Sequence, residues 1–179
     1  GIRIAWGDSG SGPVLVKAAN WLTHLEYEWD SPVWRHWNQF FSDHCRFVRY
    51  DERGSGMSDE RVGILSMDQW GPDLAPAVDA ARQEEPVTLL GISQGVATCI
   101  RYVVQHPHRV KQMILYGGYV RGAFRRGAPD AERAFRAMID LARVAWSSSN
   151  PTFRQVYTSR FIPGATAEQT TFYDDLFKK

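Results

Sequence analysis

A serine between two glycines is the pattern in this sequence that most directly indicates chemistry. Residues 86–90 form a short apolar run that leads into Gly91-Ile92-Ser93-Gln94-Gly95, and a helix-like stretch follows. In this context, G-x-S-x-G predicts a sharp bend from strand to helix, here called the elbow (residues 91–95). The bend would lift the hydroxyl of Ser93 off the end of the strand, where it can act as a nucleophile on a carbonyl carbon.

The neighbours of Ser93 suit this interpretation. Gly91 and Gly95 lack a Cβ, so the strand and the helix can approach each other closely at these two positions. The turn also directs the first N–H groups of the helix towards the serine. We therefore predict that the backbone N–H of Gln94 donates to an oxyanion, aided by the helix N-terminus.

The elements that must position the elbow follow from the spacing of apolar residues. Strands are predicted at 2–6, 14–18 and 47–50, before Ser93, and at 110–116; helices are predicted at 34–41, 67–85 and from the elbow to about residue 105. Pro72 and Pro76 disturb the second helix, since interior prolines kink helices. Alternating strands and helices predict an α/β fold with a mostly parallel sheet flanked by helices.

The pattern changes after Gly118. Three further helices are predicted at 131–146, 151–160 and 167–177, and no strand pattern recurs. We therefore expect a sheet-containing core over residues 1–120 and a helical lid over residues 121–179.

Composition narrows the classes of function. The chain has 179 residues, of which 44% are hydrophobic, and 21 basic against 20 acidic residues give a net charge of +1. This balance does not favour nucleic acid or an anionic membrane as the main partner. No membrane span or signal peptide is predicted. Cys45 and Cys99 are expected to be free thiols in a cytoplasmic protein that uses no cofactor or metal.

Two other segments contain patterns that are also found in protease active sites or in phosphate-binding loops. Residues 7–13 contain Gly-Asp-Ser-Gly, as trypsin-like proteases do, but a segment rich in Gly, Ser and Pro predicts a turn. Residues 51–59 form a glycine-bearing loop, but a phosphate cradle would run straight into a helix, and this loop does not.

Three segments together resemble the α/β-hydrolase family. They are the elbow, the stretch Tyr50-Asp51-Glu52-Arg53-Gly54-Ser55-Gly56-Met57-Ser58, and His106-Pro107-x-Arg109-Val110. The residues of the elbow, of Arg49-Tyr50-Asp51-Glu52-Arg53-Gly54 and of Leu115-Tyr116-Gly117-Gly118 are similar to those of a bacterial branch whose domain is sometimes fused to a cyclase or a LuxR-type regulator. The resemblance implies that Ser93 is the nucleophile. A serine there also argues against epoxide hydrolases and haloalkane dehalogenases, which resemble this chain but carry aspartate.

The resemblance also implies a second oxyanion donor in the loop after the second strand. Many relatives have His-Gly in this loop, whereas this chain has Ala18-Ala19-Asn20-Trp21. The role is therefore assigned to the backbone N–H of Asn20 or Trp21. The alternative is that Asn20 only fixes the loop.

The main departure from the family pattern is that the sequence shows no evident general base for Ser93. Relatives place an acid and a histidine after the serine, on loops that follow later strands. Here only His106 and His108 follow Ser93, and a helix of about 18 Å separates them from it. We expect that the sequence is a fragment cut before those strands; the alternative is a protein that has lost catalysis. His24 is expected to fix its loop or to lie on the surface.

The complete protein is expected to hydrolyse small apolar esters or lactones, with little Ser93-dependent turnover by the 179 residues alone. Most aromatic side chains of the lid and most of the tryptophans at 21, 29, 34 and 37 are expected to pack in the core, and the remainder would line a pocket for an apolar acyl or aryl group. The alternatives are a ligand-binding sensor module of the same fold, without turnover, and a plain interaction domain. The last predicted strand is apolar on both faces, which predicts self-association through an open sheet edge.

Overall fold

The computed structural model of the chain describes residues 1–81 and 85–179. These residues contain one five-stranded sheet, formed by β1 (Trp6–Ser9), β2 (Val14–Lys17), β3 (Arg46–Tyr50), β4 (Val87–Ile92) and β5 (Val110–Tyr116). The strand order is β1-β3-β2-β4-β5. Only β1 runs antiparallel to its neighbour, so the predicted mostly parallel sheet is confirmed.

Helices form much of the rest of the described chain. They are α1 (Arg35–His44), α2 (Met67–Ala81), α3 (Gln94–Gln105), α4 (Pro129–Ala145), α5 (Thr152–Phe161) and α6 (Ala167–Leu176). Short 3₁₀ turns lie at Pro107–Arg109 and Ala123–Arg125. In the described part of the chain, none of the helices combines the length and the apolar character needed to cross a membrane.

The prediction for the first strand was wrong. The strand lies at Trp6–Ser9; it shares only Trp6 with the predicted strand at 2–6, and its other three residues lie in the segment predicted to turn. Its position is set by pairing with β3, in which Trp6 lies opposite Tyr50. The guanidinium of Arg46 also donates to Asp8 at 2.6 Å. Contacts with distant residues thus override the turn preference of Gly7 and Asp8.

The second predicted helix was too long at its C-terminal end. α2 ends at Ala81, Glu85 lies outside it, and the intervening positions 82–84 lie outside the described residues. The helix continues through Pro72 and Pro76. Burial of its apolar face against the sheet accounts for this tolerance, because most helical stability in proteins comes from packing.

The sheet has a hydrophobic layer on each face, as the alternation of strand side chains requires. On one face Val16, Val48 and Leu89 pack with residues of α2 and α3, among them Leu74 and Tyr102. On the other face, buried residues of β2, β3 and β4 pack against Trp34 and Phe41: Leu15, Phe47, Leu90 and Ile92. The three central strands are therefore packed on both faces, and so is the end of β4, where the chain continues into α3. Cys45 and Cys99 are free thiols, as predicted.

β5 lies at the edge of the sheet next to β4. Its side chains Met113, Ile114, Leu115 and Tyr116 are 37–59% exposed. An edge strand of this kind offers both unpaired backbone groups and apolar surface.

The chain divides into two compact units. The first comprises Gly1–Asp30 and Trp34–Tyr119 and contains the sheet; the second comprises Ser31–Val33 and Val120–Lys179. Within the second unit, Trp146 packs against Tyr157 and Phe177. Its interpretation as a lid stays a prediction.

Candidate active site

Ser93 lies between β4 and α3 in an unusual backbone conformation. Its φ is 53° and its ψ is −115°, values that residues with a Cβ rarely adopt. The N–H of Ser93 donates to the carbonyl of Tyr116 at 3.0 Å, which ties the bend to the end of β5. The residue is exposed, so the strained bend lies at the surface of the described structure.

Both elbow glycines lie against close backbone contacts, and the contacts at Gly91 are the closer. A Cβ on Gly91 would lie 2.8 Å from the Cα of Val96. A Cβ on Gly95 would lie 3.1 Å from the carbonyl oxygens of Ala18 and Ala19. The strand and the helix therefore meet too closely for a side chain at Gly91, and the loop after β2 packs tightly against Gly95.

The backbone N–H of Gln94 is free of the helix ladder. Gln94 is the first residue of α3, and the side chain of Ser93 does not cap the helix. The first N–H groups of a helix have no intrahelical acceptor. The predicted oxyanion donor therefore lies at the positive end of the helix dipole, one residue from the candidate nucleophile.

Two hydrogen bonds hold the start of the loop after β2. The N–H of Ala18 donates to the carbonyl of Leu90 at 2.9 Å. The ammonium of Lys17, which is buried, donates to Oδ1 of Asn20 at 2.6 Å. The Asn20 side chain thus fixes the loop, while the oxyanion role of the backbone N–H of Asn20 or Trp21 stays a prediction. Leu22 has a φ of 57°, so this loop also carries backbone strain.

The loop after β3 is organised around a buried carboxylate. Oδ2 of Asp51 accepts from the N–H groups of Leu25, at 3.0 Å, and Met57, at 2.9 Å. A Cβ on Gly56 would lie 2.3 Å from that oxygen. The carboxylate of Asp51 thus joins this loop, through Met57, to the loop after β2, through Leu25.

Sequence reasoning missed Glu52 as a member of this region. The side-chain amide of Gln94 donates to Oε2 of Glu52 at 3.1 Å, and Glu52 is only 7% exposed. Burial raises the pKa of Glu52 to about 8; the charge of Asp73 adds to this shift, and Lys17 opposes it. The only available signal was that Glu52 and Gln94 both belong to segments that carry the family resemblance.

The histidines are engaged away from the elbow. Nδ1 of His24 accepts from the N–H of Tyr27 at 3.2 Å, which supports the expected loop-fixing role. The ring of His106 packs against Tyr102 at the far end of α3, with ring centroids 4.7 Å apart. Among the described residues, no histidine or carboxylate forms a hydrogen bond with the Ser93 hydroxyl.

The first unit contains a cavity of about 540 Å³ that does not include Ser93. It lies at β1, where Trp6, Trp29 and Arg49 are among its lining residues. The guanidinium of Arg49 lies 5.0 Å from the ring centroid of Trp29. This cavity is therefore separate from the residues that carry the predicted chemistry.

Two curated proteins illustrate the similarity in sequence. The 2-hydroxy-6-oxo-2,4-heptadienoate hydrolase of Pseudomonas putida is 30% identical over 109 residues, 60% of this chain and 34% of that protein. The 3-oxoadipate enol-lactonase 2 of Acinetobacter baylyi is 32% identical over 103 residues, 58% of this chain and 36% of that protein. The chain thus spans about a third of the length of these relatives.

Solved structures show the same fold. An esterase from Exiguobacterium antarcticum superposes with a TM-score of 0.74 at 19% identity, covering 100% of this chain and 65% of that protein. An epoxide hydrolase from Bacillus megaterium gives 0.73 at 17% identity, covering 99% and 64%. At these identities the likeness shows the fold alone. The family model described as Hydrolase_4, serine aminopeptidase S33, matches residues 35–161, well over half of the chain, and the chain therefore belongs to this family of α/β-hydrolases.

Proposed function

We propose that the protein is a serine hydrolase that acts on small apolar carboxylic esters or lactones. The observation that carries the proposal is the backbone of Ser93, an exposed residue with a φ of 53° at the bend between β4 and α3. Relatives and structural neighbours named as a hydrolase, an enol-lactonase and an esterase support the same class of reaction.

In the proposed mechanism, the oxygen of Ser93 attacks the substrate carbonyl carbon. The N–H of Gln94 and that of Asn20 or Trp21 donate to the oxyanion that forms on the carbonyl oxygen.

The free thiols of Cys45 and Cys99 support a cytoplasmic location for the protein.

A serine hydroxyl needs a general base that takes its proton at neutral pH. Because no described histidine is hydrogen-bonded to Ser93, we expect residues 1–179 alone to show little Ser93-dependent turnover. The same observation favours a second candidate, a sensor module that binds a small apolar ligand without turnover and acts on a regulatory domain.

The test is hydrolysis of p-nitrophenyl butyrate by the protein expressed from its natural reading frame, compared with Ser93→Ala. We expect the substitution to abolish hydrolysis of this ester. Ligand binding without hydrolysis in both proteins would favour the sensor. Vigorous Ser93-dependent hydrolysis by residues 1–179 alone would show that a base is present in them.

A further inference from the structure

A hydrogen bond between two side chains, here called the bridge, joins the loop after β3 to the elbow. In the sheet, β3 and β4 lie on either side of β2. Glu52 follows β3 and Gln94 follows β4, and their side chains are joined by the 3.1 Å hydrogen bond. The bridge therefore connects the two strand ends that flank the end of β2, where the loop of Ala18–Trp21 begins.

Both neighbours of Glu52 are rigidly held. Asp51 accepts two backbone N–H groups, and Nε of Arg53 donates to the carboxylate of Asp73 on α2 at 2.9 Å. Glu52 therefore lies between two anchored residues and is itself buried. Side chains fixed in this way can support a site with the precision that catalysis requires.

Gln94, one of the two residues joined by this hydrogen bond, also carries the proposed oxyanion donor. Gln94 supplies its side-chain amide to Glu52 and its backbone N–H to the candidate site, so a rotation of the residue would move both groups. The next residue, Gly95, lies against the carbonyls of Ala18 and Ala19. A displacement at Gln94 would therefore also reach the loop of the second proposed donor.

We propose that Glu52 is a positioning residue that, through Gln94, sets the direction of the backbone N–H at the oxyanion site; this role rests on the function proposed above. Several ionisable groups act on Glu52: Asp73 from α2, Lys17 from β2, and Asp51 and Tyr50 from its own segment. With its pKa at about 8, Glu52 is mostly uncharged at neutral pH. A neutral carboxyl holds Gln94 without opposing the negative charge that develops on the substrate oxygen.

The first measurement is independent of turnover. In ¹⁵N-labelled protein, the backbone and side-chain amide resonances of Gln94 are followed from about pH 6 to about pH 10, a range that brackets the pKa of Glu52. We expect both to titrate with a midpoint near 8 in the wild type. Glu52→Gln should abolish that titration and preserve the resonance positions seen at low pH. Glu60→Gln, an exposed control, should change neither property.

The second measurement uses the esterase activity of the protein expressed from its natural reading frame. Glu52→Ala should lower kcat about tenfold with little change in KM, because it disorients a donor that acts on the transition state. Glu52→Gln, which keeps an acceptor for Gln94, should recover most of the kcat that Glu52→Ala loses, and its kcat should lack the pH dependence with a midpoint near 8 that the ionisation of Glu52 gives the wild type.

The outcomes separate this inference from the proposed function. Gln94 resonances that are the same in the wild type, Glu52→Gln and Glu52→Ala would overturn the positioning role. Should Glu52→Ala not fold, Gln94→Leu breaks the bridge from the other side, and an unchanged kcat in that variant would overturn the role as well. Activity that survives in Ser93→Ala would instead overturn the proposed function, whatever the resonances of Gln94 show.

Discussion

Ser93 is held in a conformation that a free serine avoids. A positive φ in a residue with a Cβ costs about 1–3 kcal/mol, and the surrounding contacts must sustain it. The hydrogen bond from its N–H to Tyr116 and the close packing at Gly91 and Gly95 do so here. Strain of this kind concentrates at functional sites, which is why it supports the proposed role of the hydroxyl.

The strain predicts that activity and stability oppose each other at this residue. Ser93→Gly should raise the free energy of unfolding by about 1 kcal/mol, because glycine adopts positive φ freely. Ser93→Ala, the matched control, removes the hydroxyl but keeps the strain, and its stability should stay near that of the wild type. Urea unfolding measures both. A glycine variant no more stable than the alanine variant would contradict the account.

The raised pKa of Glu52 leads to a second prediction about a single residue, which concerns how the free energy of unfolding depends on pH. Its pKa is about 8 in the folded protein, against 4.5 for an ordinary glutamate. Below the lower value the group is protonated in both states. Between the two values the unfolded chain loses this proton first, so the contribution of Glu52 to stability falls as pH rises and is lost above about 8.

Glu52→Gln should therefore gain stability relative to the wild type as pH rises from about 5 to about 9, by at most about 5 kcal/mol. Urea unfolding at both pH values, with Glu60→Gln as the exposed control, measures the gain. If the difference between wild type and Glu52→Gln is the same at both pH values, Glu52 ionises as it does in the unfolded chain.

At the scale of elements, the elbow is a junction of β4, α3 and the loop after β2. Its geometry depends on backbone atoms approaching closely, as at Gly91 and Gly95. Interior packing of this density leaves no room for an added methyl group.

Gly91→Ala should lower the free energy of unfolding by about 1–3 kcal/mol, because its Cβ meets the backbone of Val96 and Gly95. Gly7→Ala is the matched control, since a Cβ at Gly7 has no atom within 4 Å in the described structure. Thermal unfolding compares the two variants. Equal losses at both positions would show that the elbow is not tightly packed.

Some of these elements could be predicted from the sequence and others could not. The elbow and its flanking strand and helix were predictable because the apolar run, the glycines and the serine are adjacent in the chain. The position of β1 was not, because it depends on pairing with β3 and on the ion pair of Arg46 with Asp8. The bridge between Glu52 and Gln94 was not either, because chain order does not reveal that β3 and β4 flank β2.

At the scale of the whole molecule, β5 is an exposed edge strand of the described sheet. β5 exposes four consecutive apolar or aromatic side chains, from Met113 to Tyr116, and has one strand neighbour within the described sheet. Such an edge can pair with a second copy of the chain.

We expect residues 1–179 to self-associate with rising concentration, and Ile114→Lys to weaken this association at least about tenfold. A lysine on an edge strand must be desolvated when another strand pairs with it. Val104→Lys, on the exposed side of α3, is the matched control and should associate as the wild type does. Sedimentation velocity compares the three proteins. Equal association of Ile114→Lys and the wild type would exclude β5 as the contact.

The central claim is that Ser93 is the nucleophile of a hydrolase for esters or lactones. It is tested most directly by the rate of p-nitrophenyl butyrate hydrolysis by the protein expressed from its natural reading frame, with and without Ser93→Ala. We predict that hydrolysis in the wild type exceeds that of the variant by a factor of about 10³ or more. Equal hydrolysis by the two folded proteins would contradict the claim.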